Sequence, residues 1–70
     1  MLNTIEAYEE QGRMVAKARN NRDEGSAQAA VWHYRQMKAL EKLEDEPAIK
    51  EAFERGYTAA RNVQNATYYR

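Results

Sequence analysis

Few side chains in this sequence have a type and spacing that suit them to chemistry. His33 is the single histidine, and there is no cysteine. A histidine acting as a general base needs a nucleophile or acid at hydrogen-bond distance inside a pocket that excludes water. Seventy residues enclose no sizeable pocket, and His33 falls on the edge of a helix between two apolar stripes, as a boundary residue with one polar contact. One histidine among scattered carboxylates gives no metal-ligand spacing, and the missing cysteines exclude a disulfide. The reading is of a protein that is no enzyme and carries no cofactor and no metal.

Two other groupings suit binding better than catalysis. Arg13, Lys17, Arg19 and Arg22 place four positive charges within ten residues, with no acid among them. Against them, residues 41–54 carry six acids and two lysines. Such blocks pair across a fold or a dimer, or steer a charged partner. The aromatic residues form the second grouping. Trp32, Tyr57, Tyr68 and Tyr69 exceed what a small core readily hides. Trp and Tyr dominate binding hot spots because they bury a large area at low entropic cost. Trp32, Tyr34, Leu40, Leu43, Phe53 and Tyr57 are therefore the candidate partner-binding residues.

The elements that must position these groups are helices. Ala, Glu, Lys, Arg, Gln and Leu abound, β-branched residues are few, and Pro47 is the only proline. The composition and periodicity predict an all-α fold with helices over residues 4–20, 25–44 and 47–65. Asn3 and Glu6 have the spacing of a capping box at the start of the first helix. Ile5, Tyr8, Gly12, Val15 and Arg19 recur at three and four residues and share one face. The turn formers from Asn20 to Ser26 end that helix, and the second opens at Asp23 or Ser26. Pro47 suits the first turn of the third helix, whose inner face reads Ile49, Ala52, Phe53, Gly56, Ala60 and Val63.

The second helix carries two apolar stripes. Ala27, Ala30, Val31, Tyr34 and Met37 form one, and Ala29, Trp32, Ala39, Leu40 and Leu43 form another roughly opposite. A helix lying on one neighbour needs a single stripe. The first helix can cover one, which leaves the other for the third helix, a second subunit or a target. Gly12 and Gly56 stand in mid-helix, where glycine costs about 1 kcal/mol relative to alanine, so both are expected at close helix crossings. They also sit in an internal echo, with an aromatic before each glycine and Ala-Arg-Asn after it, at 18–20 and 60–62.

Length and charge bound the partners. Ordering a residue costs roughly 1.5 kcal/mol, and a single domain of this size offsets that cost barely. A helical hairpin with a third helix after Pro47, assembled as a homodimeric bundle, is the expected architecture. Eleven basic and eleven acidic side chains cancel, which argues against a general nucleic-acid binder. The N-terminal residues lack a basic and an apolar region, so a signal peptide is not expected. No stretch approaches the roughly twenty apolar residues of a membrane span. The expected location is the cytoplasm.

Two resemblances add to this reading. The first two helices resemble one tetratricopeptide-type hairpin, without the repeat spacing or the roughly three copies that a solenoid needs. Over nearly the whole chain, the Ala7-Tyr8-Glu9 to Gly12-Arg13 run, the turn from Asn20 to Gly25, and Ala52-Phe53-Glu54-Arg55-Gly56-Tyr57 resemble small early proteins of temperate phages. These are the short helical reading frames between the exonuclease and excisionase genes of lambdoid phages, and the quorum-sensing anti-activator of a Pseudomonas phage. The resemblance implies a helical-hairpin homodimer that binds a host protein, silencing a regulator or biasing lysis against lysogeny. It assigns no role to an individual residue. The rival readings are a nucleic-acid-binding regulator using segment 13–22, and a structural or antitoxin-like assembly partner.

Overall fold

A computed structural model of the chain describes residues 5–43 and 46–68, with side chains through Asn62. The expected cap at Asn3, the inward-facing Val63 and the tyrosines Tyr68 and Tyr69 lie outside the described side chains. Three helices make up the described fold, α1 (Ile5–Asn20), α2 (Glu24–Glu41) and α3 (Pro47–Tyr68), and no strand occurs among the described residues.

Each helix end has a local cause. α1 stops because Arg22 takes the left-handed conformation at φ 58°. The Asp23 amide then reaches back to the Ala18 carbonyl at 2.8 Å, and the Arg22 amide to Arg19 at 3.0 Å. Those two bonds close the helix in the Schellman pattern. Asp23 opens α2 by accepting from the Ser26 amide at 3.1 Å, while the Ser26 hydroxyl donates to its other oxygen at 2.6 Å. The hydroxyl and then the amide of Ser26 hold the Asp23 carboxyl below its ordinary pKa. Gly25 therefore sits inside the first turn of α2 with a negative φ, and the helix break lies before it.

α2 ends at Glu41, earlier than the expected residue 44, because Lys42 repeats the left-handed stop at φ 59°. The Leu43 amide donates to Lys38 at 2.8 Å and the Lys42 amide to Ala39 at 3.2 Å. This turn swings Leu43 off the outer stripe of α2 and packs it against the core. Pro47 starts α3, and the Glu46 carbonyl before it accepts from Ile49 and Lys50. α3 runs on to Tyr68, past the expected residue 65.

Neither left-handed stop uses glycine. A residue with a Cβ pays roughly 1–2 kcal/mol there, and glycine returns part of the difference through its larger unfolded-state entropy. Arg22→Gly and Lys42→Gly should each raise stability by about 0.5–1 kcal/mol in urea unfolding, with unchanged helical circular dichroism. A loss at both sites would place the turns elsewhere.

α1 is the central helix. α2 returns antiparallel along it, so Tyr8 meets Tyr34 and Met37 near one end while Val15 meets Ala27 and Ala30 near the other. α3 runs parallel to α1, with Tyr8 near Ile49 and Ala52 and Asn20 reaching the Ala60 carbonyl at 3.4 Å. Tyr8 is completely buried, edge-on to Tyr34 at 6.2 Å between centroids, and its hydroxyl bonds the Glu41 carboxylate at 2.5 Å. Gln11 is also buried, and its Oε1 has no hydrogen-bond partner among the described residues.

The glycines mark the closest approach, as their cost suggested. A Cβ on Gly12 would strike the Phe53 carbonyl oxygen and lie 3.0 Å from the Tyr57 amide nitrogen. A Cβ on Gly56 would strike the Glu9 carbonyl oxygen in the same way. Each glycine thus receives the carbonyl that precedes the other glycine by three residues. The echo noted in the sequence is the same close-approach device used once on each of two parallel helices.

Candidate functional site

The groove that the fold leaves open follows from unequal helix spacing. Gly12, Ala52 and Gly56 are buried small residues that let α3 settle onto α1. Between α2 and α3 stand large rings instead. Tyr34 stacks on Phe53 with centroids 4.0 Å apart. Helix separation follows the side chains at the contact. Among the described residues no Cα of α2 comes within 8 Å of one in α3. The third edge of the bundle is therefore open, and it forms a groove of about 360 Å³.

The groove has an apolar and aromatic floor of Val15, Val31, Tyr34, Phe53 and Tyr57. Its rims carry Arg19, Arg35, Lys38 and Lys50 against one carboxylate, Glu54. In a chain of zero net charge this is a local cationic excess. The Lys38 ammonium sits 4.4 Å from the centroid of the Tyr34 ring. Arg19 lies 5.6 Å from the Tyr57 centroid and donates to its hydroxyl at 3.1 Å. Cation–ring contacts of this kind contribute about 0.5–1 kcal/mol when exposed and hold the charges over the rings. Burial, and then the negative charge of Glu54, push the Tyr34 hydroxyl above its ordinary pKa. None of Arg35, Lys38 and Lys50 has an ion-pair partner among the described residues.

A second hollow continues from the first. It shares Arg19, Val31 and Arg35 and adds Glu24, Gln28 and Trp32. Trp32 is 62 % exposed and Leu40 is 74 % exposed, so the outer stripe of α2 stands uncovered. α3 does not cover it, because α3 packs on α1. Of the six residues that the sequence put forward for binding, Trp32 and Leu40 are on this bare face. Tyr34, Phe53 and Tyr57 line the groove, with Tyr34 mostly in the core. Leu43 is half-buried against the Tyr8 cluster.

The basic segment 13–22 is not one patch. Arg13 pairs with Glu9 at 3.3 Å and with Glu10 on the outside of α1. Lys17 is exposed, Arg22 is in the turn, and Arg19 alone reaches the groove. The cations that do converge come from three helices, and Arg35, Lys38 and Lys50 were not singled out by sequence. The one available signal was that Arg35 and Lys38 flank Val31 and Tyr34 on the shoulder of the buried stripe. The His33 side chain is exposed and makes no hydrogen bond among the described residues, so the single polar contact expected of it is absent there. Among the same residues no group of three or more His, Asp or Glu is placed to hold a metal ion. No described helix is long and apolar enough to cross a membrane. No protein-family model matches the chain, and no curated protein or solved structure matches it.

Proposed function

We propose that the protein is a non-enzymatic binding protein of the phage accessory type, which pairs with a second copy of itself and engages a host protein to alter its activity. The bare stripe of α2 carries this reading. Trp32 and Leu40 are largely exposed on a helix whose opposite face already buries Ala27, Ala30, Tyr34 and Met37. Ala29, Trp32, Gln36 and Ala39 follow one another at spacings of three and four, the seam of a helix that lies lengthwise along another. An uncovered indole on such a seam is an association surface. The grooves support the same reading, because they gather aromatic rings and cations, groups suited to binding and orienting a partner. The scattering of segment 13–22 weighs against a nucleic-acid reading that would use that segment as one basic face.

Sedimentation and circular dichroism test the proposal together. An exposed side chain contributes little to the fold, and substitutions of that kind stay within about 0.5 kcal/mol. Trp32→Ala should therefore keep the helical spectrum and the melting temperature of the monomer. It should weaken self-association by about 2 kcal/mol, a factor of roughly thirty. Wild-type protein that sediments as a monomer at high micromolar concentration would remove the pairing from the proposal. Unaltered association in the variant would remove Trp32 from it.

A further inference from the structure

The groove between α2 and α3 lies on a different face of α2 from the pairing stripe, though the hollow beside Trp32 adjoins it, and its chemistry points to one kind of occupant. We infer that it seats an acidic amphipathic helix of a partner protein, which lies along the open edge as a fourth helix. This rests on the reading of the chain as a protein-binding module and names the chemistry of what it binds.

Shape is the first argument. Two of the three helix pairs are closed, and the α2–α3 edge stands open above the Tyr34–Phe53 stack over about two turns of each helix, residues 31–38 and 50–57. An extended trough with an apolar floor between two helices suits the helix-in-groove mode, in which an apolar stripe lies on the floor. Charge is the second. Arg35 and Lys38 stand on the α2 rim, Lys50 on the α3 rim, and Arg19 at the end towards the α1–α2 turn. An amphipathic helix carries side chains on both flanks of its apolar stripe, so carboxylates there meet cations on both rims.

Charge, burial and covered ring faces weigh in turn against the rival occupants, a second copy of the chain and a single-stranded nucleic acid. The stripe of a second copy would bring its own Arg35 towards these rims, and its one acid on that flank, Glu24, already lies 3.8 Å from Arg19. The acidic turn before α3 offers no free apolar stripe, because Ile49 is already buried and Glu46, Pro47, Ala48 and Glu51 are exposed. A single-stranded nucleic acid would need open ring faces on which to stack its bases. Here Tyr34 is engaged by both Phe53 and Lys38, and Tyr57 by Arg19.

The test uses two labelled helical peptides of about three heptads, with leucine at the seam and either glutamate or lysine on both flanks. A labelled single-stranded oligonucleotide is the third probe. Fluorescence polarisation is read against the wild-type protein and against Arg35→Glu/Lys50→Glu, two exposed positions whose helical spectrum is checked first. The glutamate peptide should bind at least about tenfold more tightly than the lysine peptide, with affinity that falls as salt rises. The double variant should lose at least about tenfold for the glutamate peptide and reverse the preference. Equal affinity for both peptides, an unchanged affinity in the variant, or tighter binding of the oligonucleotide overturns the inference. Peptide binding that fails while Trp32-dependent self-association persists overturns the groove assignment alone. The reverse result overturns the pairing and leaves the groove standing.

Discussion

Replacing Gly12 by alanine is expected to destabilise the protein by at least about 3 kcal/mol, at or above the upper end of ordinary overpacking. The direction opposes helix propensity, since alanine is the better helix former by about 1 kcal/mol. What decides it is the identity of the atoms in the way. The added Cβ meets the Phe53 carbonyl oxygen and lies 2.9 Å from the Phe53 carbonyl carbon, both backbone atoms of α3. A flexible side chain could swing aside, but a helix backbone moves only as a whole. Relief would shift α3 outward and pull Ile49 and Ala52 away from Tyr8. Gly56→Ala should behave alike, because it strikes the Glu9 carbonyl. Gly25→Ala is the control. Its nearest neighbour is Asp23 Oδ1 at 3.8 Å, an ordinary contact, and the change should be neutral or mildly stabilising. Urea unfolding of the three variants provides the measurement. Stabilisation at Gly12 and Gly56 would show that α1 and α3 do not cross there.

Tyr8→Ala should cost about 3–5 kcal/mol, the range for an aromatic removed from a core. At roughly 0.05–0.15 kcal/mol per residue this is comparable to the whole stability of a domain of this size. Among the described residues Tyr8 is the largest fully buried side chain, and it joins all three helices. Its ring meets Tyr34 edge-on, and Ile49 and Ala52 of α3 complete the cluster. Its hydroxyl bonds Glu41 at 2.5 Å and the Met37 carbonyl at 3.3 Å, which anchors the end of α2. Tyr8→Phe separates the two contributions. It keeps the ring and removes the hydroxyl from a charged partner, for an expected loss of about 1.5–3 kcal/mol. Calorimetric or urea unfolding of both variants should rank them in that order. A Phe variant as weak as Ala would mean that the hydroxyl, and not the ring, holds the core.

The sequence by itself determined what is local. Helix content follows from residue type, and the start at Pro47 from the fixed φ of proline, whereas capping left the second start open between Asp23 and Ser26 until the fold placed Asp23 as the cap. The two stripes of α2 follow from a period of 3.6, and the close approach at Gly12 and Gly56 from the cost of glycine in mid-helix. The left-handed stops were not legible, because Arg22 and Lys42 stand where glycine is the usual sign.

Tertiary structure alone decided which faces meet. The period places a residue on a face but says nothing of the neighbour opposite. That the two glycines would pair with each other across parallel helices, leaving α2 and α3 apart, depended on the size of Tyr34 and Phe53 in the remaining space. Segment 13–22 looked like one basic block because its charges are adjacent in sequence. Each step along a helix turns the side chain by about 100°, so adjacency there disperses charge around the axis. Arg19, Arg35, Lys38 and Lys50 are far apart in the chain and reach one groove because three different helix faces border it.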